Sequence, residues 1–448
     1  MGLRQVPDDS AKHAAPSRLR TGEPGSEPAQ LAHPATHGVA GRATLIAHGD
    51  LGTSLDAIAK AVGCSRATIY QYFQSKDEIF LELFQQCEPE VLEHGRRLGR
   101  LGPDAEGMRN LHNWLLDWAD LYDKHAVVLL EFPGIGTIEA LPEANAGAVS
   151  DKYTDMITGK LRNAGVRGMD PADLSPALLR IAHMVNLFRF RGMFGLTSSA
   201  RTSASLAIAM QLLLFPDTPA EVTAEVSVGP GNPTPIPPIP GPRKRVEPGA
   251  LSPGDPPAVL PIRHDILTAA SALFSERGYY SVAMEDIAAA AMISRATLYR
   301  HFNSKVTLLA ELTDTAVLAG RQLSGELGDL ADVSDLHRWL VRFVWWERAY
   351  GGISRTWYDG TIAQRLRVDA VNEGVGVFYR AAEALLTRTP LRDGMDVSVA
   401  AAVFLAGLGR LCELAKSRHP EYSDDDTAAM MFTVLGRALW VDAGKVTQ

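Results

Sequence analysis

Two stretches of this chain carry side chains suited to holding phosphate and reading base edges. Ser294–Phe302 reads SRATLYRHF, and Ser65–Phe73 reads SRATIYQYF. In each, a serine able to cap a helix is followed by an arginine, Arg295 or Arg66, at the helix start. There the helix dipole and the free amides already favour an anion. Thr297 and Thr68 offer a hydroxyl and a methyl to a base edge, and Ala296 and Ala67 are small enough to meet a thymine methyl. Tyr299 and Tyr70, with His301 and Tyr72, are long polar-tipped groups suited to the sugar-phosphate backbone. Beyond each Phe, Lys305 and Lys76 open a further helix within reach of another phosphate. The stretches differ mainly at Arg300 against Gln71 and at His301 against Tyr72, which predicts similar but unequal half-sites.

Helices must position these groups. Ile287, Ala288 and Ala291 share one apolar face, and Leu298 and Phe302 share another, with a short turn of Met292, Ile293 and Ser294 between them. The pattern predicts two short helices at a tight turn, a helix-turn-helix whose second helix enters the major groove N-terminal end first. The other copy repeats it around Asp56-Ala57-Ile58-Ala59, at constant offset and without a gap, which identifies an internal duplication. From Lys60 to Lys76 there are cations and no acid.

Both copies resemble the DNA-binding domain of the TetR family of bacterial transcriptional regulators. The residues carrying the resemblance are Ala269, Ala270, Leu273, Phe274, Gly278, Asp286, Ile287, Ala288, Ser294, Arg295, Thr297, Leu298, Tyr299, His301, Phe302 and Lys305. The resemblance implies an all-α chain of two tandem units, each an N-terminal three-helix DNA-binding domain followed by an α-helical effector and dimerisation domain. It also implies a double-stranded DNA operator as partner, a small apolar effector molecule, no cofactor, and a bacterial cytoplasmic location, on the nucleoid when bound to DNA.

Composition agrees with a folded chain carrying local reading heads. Of 448 residues, 46% are hydrophobic and 21% charged, which is ordinary for globular proteins. The net charge of −8 argues against a protein coated in nucleic acid but leaves room for local basic patches. Cys64, Cys87 and Cys412 have no metal-ligand spacing, and so sparse and odd a set fits a reducing compartment. Cys64 aligns with Ile293, so it is expected to pack as a small apolar side chain rather than act as a redox switch. No apolar run is expected to span a membrane, and no signal-peptide core follows the start MGLRQVPDDS. Gly134-Ile135-Gly136, Gly374-Val375-Gly376 and Gly407-Leu408-Gly409 are too short for a nucleotide loop. No nucleophile-base set and no metal spacing of histidines occurs, so an enzyme is not expected.

In chain order, residues 1–35 are rich in Pro, Gly and Ser and predict a disordered leader. The first head, 36–85, has a degraded first helix: His37, Gly41 and Thr44 stand where the second head has Ile266, Ala270 and Leu273. Ser54 is expected to cap its second helix, and Ser75-Lys76-Asp77-Glu78 to form a capping box. A helical domain over 86–215 includes Leu111, Trp114, Leu115 and Trp118 on one face. It then has a loop-rich stretch marked by Pro133, Gly134, Gly136, Pro142 and Gly147, and it closes on Pro176–Phe194 and Thr202–Phe215. A Pro-rich linker over 216–258 carries Arg243-Lys244-Arg245 and reads as polyproline II at about 3 Å per residue. The second head follows over 259–313, and a second helical domain over 314–443 closes on Val397–Lys416 and Asp425–Val441. Leu336-His337-Arg338-Trp339-Leu340 echoes Leu111-His112-Asn113-Trp114-Leu115, so the duplication covers the helical domains too.

TetR proteins act as dimers whose heads lie about 34–36 Å apart or a multiple of it. The fusion implies either an intramolecular pseudo-dimer, with the closing helix pairs forming a four-helix interface, or a homodimer of two chains in which mainly the second head reads DNA. Candidate effector contacts are Trp118, Phe132, His183, Phe188 and Arg189 in the first unit, and Trp345, Trp346, Arg355, Trp357, Tyr358 and Arg410 in the second. Ordinary helix core is the competing reading for each. The expected function is a small-molecule-responsive repressor on an imperfect palindrome. The competing class is a ligand-independent DNA-bound interaction module.

Overall fold

The structure, a computed structural model, describes residues 54–130, 145–227, 259–358, 360–363 and 365–440. The leader expected over 1–35, the degraded first helix of the first head, the Arg243-Lys244-Arg245 cluster and Phe132 lie outside these residues. The first half runs α1 (Leu55–Val62), α2 (Arg66–Tyr72), α3 (Lys76–Arg97), α4 (Ala105–Lys124), α5 (Ala126–Leu129), α6 (Ala146–Asn163), α7 (Pro171–Phe190), α8 (Ser199–Leu214) and α9 (Ala220–Ala224). The second runs α10 (Val259–Arg277), α11 (Met284–Ala290), α12 (Arg295–His301), α13 (Lys305–Asp329), α14 (Leu336–Ser354), α15 (Gly360–Ala363), α16 (Val368–Arg388), α17 (Val397–Arg418) and α18 (Asp424–Leu439). The described regular structure is helical apart from one isolated bridge between Leu391 and Trp440.

The caps named from sequence hold their helices. Ser54 Oγ accepts from Ala57 N at 3.2 Å, and Ser75 Oγ accepts from Glu78 N at 3.2 Å, while the Glu78 carboxylate reaches back to Gln74 N rather than to Ser75. Where the first head has Ser54 the second has Ala283, and the Asp286 carboxylate takes over by accepting from Ala283 N at 2.8 Å. Each cap satisfies an amide that the first helical turn leaves unpaired.

The echo between the helical domains is geometric. Trp114 Nε1 donates to the His94 carbonyl on α3 at 3.2 Å, and Trp339 Nε1 donates to the Leu323 carbonyl on α13 at 2.8 Å. Both tryptophans are buried, so each indole brings a large apolar ring inside with its one donor satisfied.

The two halves meet through their closing helices. α7 packs on α17, and α8 packs on both α17 and α18. α8 is buried almost without interruption from Thr202 to Leu214, as is α17 from Val399 to Ala415. A helix apolar all round has to lie inside. α17 is also long and apolar enough to cross a membrane, contrary to the expectation from sequence, but 78% of its apolar window is buried inside the protein, as befits a core helix. Polar contacts fix the register. Arg418 Nε pairs with Asp173 at 2.8 Å, Asp396 N donates to Ser205 Oγ at 3.0 Å, and the rings of Phe194 and Tyr379 stack 3.9 Å apart.

Two boundaries differ from expectation. Gly147, assigned to a loop, lies inside α6. The start of the expected linker is folded: residues 216–227 include α9, Glu225 pairs with Arg109 at 2.9 Å, and Ser227 Oγ donates to the Gly394 carbonyl at 3.5 Å. Proline density hid this short helix, which is held by contacts from distant parts of the chain.

Candidate nucleic-acid interface and ligand cavity

The two reading helices, α2 and α12, are built alike. Ser65 Oγ accepts from Thr68 N at 3.0 Å and lies 2.8 Å from Thr68 Oγ1; the matching distances at Ser294 and Thr297 are 3.1 and 2.9 Å. Arg66 pairs with Asp56 on the preceding helix at 2.8 Å and sits 5.6 Å from the Tyr70 ring. Arg295 pairs with Glu285 at 2.7 Å and sits 5.6 Å from the Tyr299 ring. Both arginines stay largely exposed, so these ion pairs contribute little stability, but they aim each guanidinium along its helix. Asp56 and Glu285 are orienting residues that the sequence reading did not single out.

Of the residues named from sequence, Ser65, Arg66, Ala67, Tyr70, Gln71, Ser294, Arg295, Ala296, Tyr299 and Arg300 are exposed, while Thr68, Tyr72, Thr297 and His301 are half-buried. The Lys76 side chain lies outside the described residues. Lys305 departs from the expected phosphate contact. Its ammonium donates to the carbonyls of Tyr279 at 2.7 Å and Val282 at 2.8 Å, and it lies over the Tyr279 ring. Burial lowers its pKa from the ordinary lysine value. The cation ties α13 to the loop after α10 instead of reaching outward. Cys64 is half-buried and packs on the core beside the reading helix, as Ile293 does in the other copy.

The helical domains hold a sizeable cavity among the described residues. It lies in the first half, has a volume of about 420 Å³, and is lined by α3, α4, α6 and α7. Arg410, Glu413, Leu414, Ser417 and Arg418 of α17 close it from the second half. The wall is largely apolar and aromatic, with Phe84, Val91, Trp114, Trp118 and Tyr153. Trp118 Nε1, His183 Nε2 and Arg180 Nη1 are buried on this lining with no hydrogen-bond partner among the described residues. Burial, aided by Arg410 and Arg191, holds His183 down at about 3, so its ring is neutral near pH 7. Burial pushes the Glu413 carboxyl up, but Arg410 and Arg180 outweigh that and keep it ionised. A second, much smaller space of about 60 Å³ lies in the second half, lined by Phe343, Trp346, Trp357 and Phe378 with Met184 of α7.

The ligand candidates divide accordingly. Trp118, His183 and Arg410 line the large cavity; Trp346, Arg355, Trp357, Tyr358 and Arg410 line the small one. Trp345, 65% exposed, lines neither. Phe188 is core, packed against Phe194 and Tyr358, and Arg189 is engaged by Asp123 at 2.5 Å; neither lines either of these two cavities. Their positions on apolar helices suggested a pocket, but helix rotation turns them away. Arg180, Glu413 and Arg418 were missed, although charges within otherwise apolar helices were the available signal.

The model of the bacterial regulatory proteins of the tetR family matches the chain twice, over residues 39–83 and 266–312. The HTH-type transcriptional activator FasR of Mycolicibacterium smegmatis is 46% identical over 46 residues, 10% of this chain. The chain spans about a fifth, 21%, of that relative's length. NalD, the secondary repressor of the MexAB-OprM multidrug efflux pump in Pseudomonas aeruginosa, is 25% identical over 41% of this chain and 98% of its own, at a TM-score of 0.30. A gamma-butyrolactone receptor (ArpA like protein) is 19% identical over 41% of this chain and 90% of its own, at a TM-score of 0.34. With the family match falling twice on the two reading helices and their supports, the chain carries two DNA-binding domains of the tetR family in tandem.

Proposed function

We propose that the chain is a sequence-specific transcriptional regulator that binds its operator as an intramolecular pseudo-dimer and responds to a small molecule. The observation carrying this reading is the packing of α7 and α8 on α17 and α18 within one polypeptide. It makes the second half the partner that a two-chain dimer would otherwise supply. Covalent linkage of the halves corresponds to an effective concentration in the millimolar range, so dilution does not separate the heads. α2 and α12 differ at Gln71 and Arg300, which favours an imperfect palindrome. The test is operator selection from random duplexes, followed by light scattering of the complex. One chain on a two-half-site operator supports the reading; two chains would replace it with a homodimer in which one head per chain works.

The effector belongs in the cavity of about 420 Å³, a size typical of small-molecule sites. Its unpartnered Trp118, Arg180 and His183 nitrogens suit an apolar body carrying an acceptor, such as a carboxylate or carbonyl. Calorimetry with 4-phenylbutyrate and with the matching amine tests this: the acid should bind, Arg180→Met should weaken it, and the amine should not bind. Repression, by an operator that overlaps the promoter, is our reading of the sign. Activation is the second reading, favoured by the name of the relative that shares the 46-residue match. A promoter-reporter assay with and without the gene decides between them.

A further inference from the structure

We infer that the cavity in the first half controls the reading head of the second half, through α17. The inference rests on the ligand reading above and adds its route. Among the described residues, the space between Phe343, Trp346, Trp357 and Phe378 of the second half is only about 60 Å³, far smaller than the first half's chamber. The back wall of the first half's chamber is the C-terminal part of α17, with Glu413, Leu414, Ser417 and Arg418. Lys416, within the same turn, extends to the other side. Its ammonium donates to the Ser275 carbonyl at 3.1 Å. Ser275 lies in the last turn of α10, the first helix of the second head, where carbonyls have no partner within the helix and attract a cation.

A second contact runs in parallel. Gly352 of α14 lies so close to α10 that a Cβ there would collide with the Phe274 and Ser275 backbone, and Ser271 Oγ donates to the Ala349 carbonyl at 2.6 Å. Glu347 on that helix is largely buried; burial, offset in part by Arg355 and aided by Glu413, pushes its carboxyl up to about 7. The end of α17 is therefore bracketed, held on one side by Asp173 of α7 through Arg418 at 2.8 Å and His419 at 3.0 Å, and on the other by the second head. A ligand that parts α7 from α17 must carry Lys416 with it or break its bond to Ser275. Helices packed this tightly move as units rather than deform.

The experiment uses the full chain and two duplexes, each keeping one half-site of the selected operator and scrambling the other. Ala182→Trp on α7 and Val149→Trp on α6 fill the cavity from two walls without any ligand. Each filler should weaken binding to the second head's half-site about tenfold, a usual size for coupling between sites. Lys416→Met should at least halve that response, the α14 contact carrying the remainder, while leaving any response at the first half-site intact. Loss confined to the first half-site would overturn the inference, as would a filler that acts equally with and without Lys416→Met. If neither filler folds, wild-type hydrogen exchange decides. By reciprocity, a duplex carrying only the second half-site must change exchange in Leu414–Arg418, and unchanged exchange there refutes the coupling. Failure of 4-phenylbutyrate to bind counts against the ligand reading alone, because the fillers and the exchange measurement need no ligand.

Discussion

At Lys305 the ammonium is held by the Tyr279 and Val282 carbonyls beneath the Tyr279 ring, a site that a free phosphate contact would have to empty. Lys305→Met should lower the stability of the second head by about 1–3 kcal/mol, the usual penalty for leaving buried polar groups unpaired. It should leave the slope of log affinity against log salt unchanged in a variant still folded at the assay temperature. Arg295→Ala should do the reverse, keeping the melting temperature while reducing that slope by about one. Met292 makes a different residue-scale case. It takes φ 54° in the turn before α12, where the first head has Gly63 at φ 72°, and its side chain is 92% exposed. A left-handed backbone strains any residue with a Cβ by about 1–2 kcal/mol. Met292→Gly should therefore raise the urea midpoint of the second head, and Gly63→Met should lower that of the first.

At the scale of helices, α3, α4 and α6 of the first half meet at His94. Its Nε2 donates to the Trp114 carbonyl at 2.9 Å, so in the neutral ring Nδ1 accepts from the Tyr153 hydroxyl 2.7 Å away. Burial depresses its pKa from 6.5 to about 4. Between those values the unfolded chain binds the proton and the folded chain does not. The stability that His94 contributes is complete above about 6.5 and is lost as pH falls toward 4. His183, held near 3 by burial, acts in the same sense. The position of His94 in the second half is Leu323, which has no such dependence. Thermal melts at pH 7 and pH 5 should show a drop that shrinks in a His94→Leu, Tyr153→Phe double variant. Much at this scale was readable from sequence. Serine caps, the repeated Leu-His-x-Trp-Leu face and the two long apolar closing segments each follow from local periodicity and composition. What was not readable depends on side chains brought together from afar. The polar partners of His94 and the unpaired nitrogens of Trp118, Arg180 and His183 are set by helix rotation and by the other half of the chain, and no local pattern encodes either.

At the scale of the whole molecule, the fold joins its halves through α7, α8, α17 and α18, and the chain itself is a second, independent connection between residues 227 and 259. The two contributions separate if a protease site is introduced between those positions. The interface buries most of α8 and α17 beside the Asp173–Arg418 pair and the Arg180, Arg410 and Glu413 cluster, and apolar burial of that extent holds permanent partners rather than transient ones. Cut protein at micromolar concentration should therefore still elute as one particle and still bind the full operator. Diluted to low nanomolar concentration, it should lose operator affinity while the uncut chain does not, because only the cut form must reassemble before two heads engage DNA. Arg418→Ala should lower the affinity between the cut halves, since it leaves Asp173 in the interface with only His419 as a partner. If cut and uncut forms bound the operator equally at every dilution, the helix interface alone would account for the pairing of the heads, and the linkage would have to serve assembly during folding instead.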